Sequence, residues 1–71
     1  MSETYIPRNS SHIAQAEYDR EERSLTITFQ SGDVYEYDEV PFDVFLGLQN
    51  AASAGQYFHR VIKDRFAYEQ V

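Results

Sequence analysis

The run Ser24-Leu-Thr-Ile-Thr-Phe-Gln30 alternates apolar and polar side chains without a break, a period of two that suits a half-buried β-strand. Gln30-Ser-Gly-Asp33 follows, and Val34-Tyr-Glu-Tyr37 then alternates again. Side chains on a strand change sides at every residue, so a slip of one position would carry the whole apolar set to the wrong face. The hairpin register can therefore be decided. A two-residue turn at Ser31-Gly32 sets Ile27 opposite Glu36, a poor match. A three-residue loop of Gln30, Ser31 and Gly32, with Gly32 left-handed, sets Ile27 opposite Tyr35 and Leu25 opposite Tyr37. The second register is the expected one: Tyr35 and Tyr37 join the apolar face, and Glu36 and Asp38 point to the other side.

The same reasoning extends in both directions. Residues 12–19, "HIAQAEYD", alternate with Ala14, Ala16 and Tyr18 on one face. Pairing Asp19 with Ser24 around the charged turn sets Tyr18 opposite Leu25 and Ala16 opposite Ile27. Downstream, Val40-Pro41 ends the third strand and opens a helix over "PFDVFLGLQN". Ser53 and Gln56 form an S-x-x-Q capping box, so a second helix starts at Ala54, burying Tyr57, Phe58, Val61 and Ile62 and exposing Arg60, Lys63 and Asp64. The expected fold is α+β: a three-stranded antiparallel meander followed by two helices packed on one sheet face. "RFAYEQV" alternates weakly and returns as a short C-terminal edge strand or simply packs its aromatics. Residues 1–11, polar and without period, are expected to be a flexible arm, and residues 12–71 a single domain.

Composition bounds the chemistry. Seventy-one residues hold one small core and no interdomain cleft. Without cysteine there is no disulfide, thiolate metal site or cysteine nucleophile. No bound cofactor or metal is expected: His12 and His59 lie far apart in sequence with no recognisable carboxylate spacing. The N-terminal stretch lacks an apolar signal core and no run could cross a bilayer, so the expectation is a soluble cytoplasmic protein with no membrane partner. The net charge of −6 is unevenly spread: residues 33–43 hold Asp33, Glu36, Asp38, Glu39 and Asp43 with no base, whereas residues 59–65 hold His59, Arg60, Lys63 and Arg65 against Asp64.

The order of these signals resembles a known family. Ser10-Ser11-x-Ile13, Tyr18-Asp19, Leu-Thr-Ile-x-Phe29, Ser-Gly32, Val-Tyr35-x-Tyr37, Val40-Pro41, Ser53-x-Gly55-x-Tyr57-Phe58, Ile62 and Tyr68 are similar to the KTSC domain over about residues 10–71. The resemblance implies a small bacterial domain, found at the C-terminus of some lysyl-tRNA synthetases and as free-standing proteins, for which nucleic-acid binding is a suggested role.

The candidate sites follow from residue type and placement. Tyr35 and Tyr37, two apart on a strand, have the spacing of base-stacking platforms, although the expected register turns both toward the core. Ser53, Ala54 and Gly55 at a helix start, with His59, Arg60, Lys63 and Arg65 beyond, form the candidate anion or nucleic-acid contact. Glu36, Asp38 and Glu39 form a candidate acidic partner surface. No nucleophile motif or phosphate-cradling glycine loop accompanies them, and no catalytic residue is expected. The expectation is a non-catalytic interaction module contacting a partner protein. An RNA- or tRNA-associated module using the basic helix is the alternative, disfavoured by the net charge. A third reading is an acidic nucleic-acid mimic acting on a nucleic-acid-binding protein.

Overall fold

The two alternating segments form the hairpin their pattern requires. In the computed structural model, which describes residues 2–8 and 12–71, β2 (Ile13–Asp19), β3 (Ser24–Phe29) and β4 (Val34–Tyr37) make an antiparallel meander. Tyr18 lies opposite Leu25 and Ala16 opposite Ile27, while Leu25 faces Tyr37 and Ile27 faces Tyr35. These are the expected registers. The β3–β4 loop closes as anticipated, with the Gly32 N–H donating to the Phe29 carbonyl at 2.9 Å and Gly32 at φ 98°. At the other end of β3, the Asp19 carboxylate accepts from the amides of Glu21 and Glu22 and holds the charged turn, where Arg23 adopts φ 57°.

The sheet has five strands rather than three. Within the stretch expected to be a loose arm, β1 (Ser2–Tyr5) pairs antiparallel with β2, setting Glu3 against Tyr18 and Tyr5 against Ala16. Ser-Glu-Thr-Tyr carries no apolar alternation because an edge strand is held mainly by main-chain bonds; Tyr5 alone packs on the core. Residues 9–11 of that arm lie outside the described residues. The weakly alternating C-terminus does return as an edge strand, β5 (Tyr68–Gln70), beside β4. The strand order is sequential, β1-β2-β3-β4-β5.

One local expectation is corrected. Ala14 does not share the inner face with Ala16 and Tyr18, because β2 carries an extra residue between Ile13 and Gln15. This bulge reverses the alternation and brings Ile13 into the core.

Helix α1 (Phe42–Asn50) follows Pro41, which is the N-cap rather than the first helical residue. Helix α2 (Ala54–Tyr57) starts where the capping box places it, and the Ser53 hydroxyl accepts from the Gln56 amide at 3.2 Å. After this single turn the helix widens into a π-helical stretch, Phe58–Ile62, closed by the Lys63 amide donating to the Phe58 carbonyl at 2.9 Å. Phe58 and Ile62 are buried, and Arg60, Lys63 and Asp64 are exposed, as the stripe required.

The helices cover one sheet face. Between the layers lie Ile13, Ala16, Tyr18, Leu25, Ile27, Tyr37, Val40, Phe45, Leu48, Phe58 and Ile62. Tyr18 stacks on Phe45 with ring centroids 5.3 Å apart, and its hydroxyl donates to the Val40 carbonyl at 2.6 Å. Tyr57 donates to the Val44 carbonyl at 3.0 Å and so ties α2 to α1. No helix among the described residues is long and apolar enough to cross a membrane.

Candidate functional site: an aromatic groove beside the second helix

Strand pairing decides what each face can offer. Residues directly opposite one another share a face, so the uncovered side of the sheet carries the cross-strand row Thr4, Glu17, Thr26, Glu36, Glu69. Glu36 and Glu69 are immediate neighbours of like charge. Of the residues expected to form an acidic surface, Glu36 therefore sits in this row, half-buried among its neighbours, while Asp38 and Glu39 follow the strand and are exposed. Glu39 takes φ 54°, and the Asp38 amide bonds to the Ala67 carbonyl.

The covered side is not fully closed. Tyr35 and Tyr37 point toward the helices, and β5 adds Tyr68 directly opposite Tyr37. Tyr68 is 56% exposed, whereas Tyr37 is 3% exposed. With Phe29, Phe58, Lys63 and Asp64 these tyrosines line a groove of about 150 Å³. Its walls are ring against ring: Phe29 meets Tyr35 and Phe58 edge-on at 5.8 and 5.3 Å, and Tyr68 leans on Tyr35 and Tyr37 at 5.5 and 5.4 Å. Burial pushes the Tyr37 phenol up to about 12, and the neighbouring Tyr68, Tyr35 and Asp64 charges add to the shift. The phenol oxygens and the carboxylate thus share one small region.

The candidate anion contact is dispersed. The Ser53 hydroxyl is engaged in capping, Ala54 is buried, and Gly55 lies under His12, with an added Cβ meeting that side chain only at 3.8 Å. Arg60 shares a depression of about 310 Å³ with Ser53 and Gln56, Lys63 sits on the aromatic groove, and Arg65 is exposed beyond the helix. His59 turns toward His12, ring centroids 6.2 Å apart, a proximity hidden by their separation in sequence. No group of three or more metal-ligating side chains occurs among the described residues.

The sequence pattern singles out Tyr35 and Tyr37 but shows no groove around them. The missing walls come from Tyr68, whose strand was one of two alternatives, and from Phe29, whose ring reaches Phe58 across the layers. The alternation of "RFAYEQV" was the available signal, since strand status alone puts Tyr68 on the Tyr37 side.

Comparison with known proteins agrees with this architecture. Over 61 residues, 86% of this chain, the sequence is 49% identical to a lysine--tRNA ligase of Trichormus variabilis, of which that stretch is 11%. The chain thus spans about a tenth of the length of such ligases. A free-standing protein of Tsukamurella paurometabola is 42% identical over 60 residues, covering 84% of this chain and 90% of that one. The crystal structure of a KTSC domain protein from Yersinia pestis superimposes with a TM-score of 0.91 at 30% identity, covering 100% of this chain and 99% of the other. The family model for the KTSC domain matches residues 9–66, the whole β2–β4 meander and the helical layer; with that match and these relatives, the chain belongs to the KTSC domain family.

Proposed function

We propose that the domain is a small, non-catalytic cytoplasmic binding module that engages a partner protein, with the groove between Tyr35, Tyr68 and Asp64 as its contact point. The observation that carries this reading is the groove itself. It is a concave, aromatic-lined opening with a few polar groups at its rim, the usual composition of a recognition site. Tyr68 supplies a large exposed ring, the kind of side chain that anchors interfaces. Catalysis is the weaker reading because the groove moves the Tyr37 phenol to about 12, away from the near-neutral range useful to a general acid or base. The acidic row on the far side of the sheet makes a basic partner the better electrostatic match.

Affinity capture from the native host, followed by binding measurements on the purified captured protein, tests the reading. Tyr68→Ala should weaken retention at least about tenfold, as truncation of an interface anchor does. Equal retention by wild type and Tyr68→Ala would remove the groove from the interface.

An RNA- or tRNA-associated role is the second reading. Arg60 on the second helix, Lys63 at its end and Arg65 just beyond it are all exposed, Lys63 sits beside the aromatic groove, and several relatives are lysine--tRNA ligases. Titration with tRNA at low salt should then shift amides of residues 53–65, with the response fading as salt rises. No shift at low salt would end that reading.

A further inference from the structure

The groove has a chemical preference that can be read from its polar atoms. Tyr18, Tyr37 and Tyr57 pack between the sheet and the helices with their oxygens disposed differently. Tyr18 and Tyr57 each donate to a backbone carbonyl, at 2.6 and 3.0 Å. Tyr37 is as deeply buried as Tyr18, yet its hydroxyl has no hydrogen-bond partner among the described residues. It is not a sealed, unsatisfied atom either, so its oxygen keeps some solvent access, and the residue lines the groove. Water can satisfy such an oxygen, and a ligand group that replaces that water can take over its hydrogen bond.

We infer that the groove receives one cationic side chain, a guanidinium or ammonium group, from a basic segment of a partner protein. Size argues first. At about 150 Å³ the groove is well below the roughly 300–1,000 Å³ of small-molecule pockets and matches one side-chain head. Charge argues next. Aromatic faces attract cations, phenol oxygens accept hydrogen bonds, and the Asp64 carboxylate on the rim gives a charge-assisted partner. A phosphate would meet that same carboxylate and a chain of net charge −6. Lys63, adjacent to Asp64 in the chain, is the one lining group that opposes a cation.

This assignment rests on the groove being the contact point of a binding module, and Lys63 supplies a test with opposite signs. Isotope-labelled full chain is titrated with acetyl-Gly-Arg-Gly-amide, with the same peptide carrying neutral citrulline, and with uridine monophosphate. The arginine peptide should bind in the millimolar range and shift Tyr35, Tyr37, Asp64 and Tyr68, while the citrulline peptide should leave them unmoved. Asp64→Asn should weaken the arginine peptide about tenfold, and Lys63→Gln should strengthen it by about twofold. Both positions are exposed, so neither variant should disturb the fold. Equal binding of the citrulline peptide, no shifts at these residues, or uridine monophosphate binding that Lys63→Gln weakens would each overturn the assignment. If the arginine peptide fails while partner capture still depends on Tyr68, only the cationic chemistry falls. If both fail, the groove is not an interface.

Discussion

Two glycines in the helical layer carry opposite consequences. A Cβ on Gly47 would run into the Tyr57 phenol, 2.6 Å from Cζ and closer still to the hydroxyl oxygen. That ring is fixed by its bond to the Val44 carbonyl, so it cannot swing aside without leaving a carbonyl less well satisfied. Gly47→Ala should therefore destabilise by about 1–3 kcal/mol in urea denaturation. Gly55 meets only ordinary contact at 3.8 Å, and alanine there should stabilise by about 0.5 kcal/mol through the lost flexibility of glycine in the unfolded chain. Equal effects at the two positions would contradict the close approach of α1 and α2. None of this was legible in the sequence, where Gly47 is one residue in an apolar helical run. Its role exists only once the capping box aims Tyr57 across the neighbouring helix. Tyr35 and Tyr37, by contrast, were assigned their face correctly, because their neighbours across the strand were already determined.

At the scale of elements, legibility tracked how much each one depends on its own sequence. The central hairpins were readable to the residue because a one-position slip would expose Leu25 and Ile27, both fully buried. β1 was not, since its hold is main-chain pairing to β2 with little side-chain burial. The bulge at Ala14 and the widening of the second helix at Phe58 were likewise invisible, each being a local adjustment to what packs above it. Two elements turn on single residues. Ser53→Ala removes the acceptor for the Gln56 amide at the start of a very short helix and should cost about 1 kcal/mol, with Ser53→Asp close to wild type. Gly32→Ala meets no steric neighbour, so its cost comes from φ 98° alone, about 1 kcal/mol. Thermal melts give the two costs, and refolding kinetics separate helix capping from hairpin closure, because only the second variant should slow refolding if the β3–β4 hairpin forms early.

Across the whole molecule, charge and stability pull against each other. Burial raises the Tyr37 phenol from its ordinary value of about 10 to about 12 in the folded protein. Between those values the unfolded chain has released the proton and the folded one retains it, so stability is complete below pH 10 and declines as pH rises toward 12. Tyr57, raised by burial, pushes the same way. Denaturation midpoints at pH 8 and pH 11.5 should therefore converge in Tyr37→Phe more than in wild type. The uncovered sheet face works against folding at ordinary pH. Glu36 opposes Glu69 across β4 and β5 with Glu17 one strand beyond Thr26, and the chain already carries −6. Like charges directly opposite on a sheet cost about 0.2–1 kcal/mol, and added salt progressively weakens that repulsion as the Debye length shrinks from about 10 Å at 0.1 M. Glu69→Gln should accordingly raise stability in low salt, with the gain shrinking as salt is added. In the same protein it should weaken capture of a basic partner, again most at low salt. A gain in stability with unchanged capture would leave the acidic face without a part in recognition and confine the interface to the aromatic side.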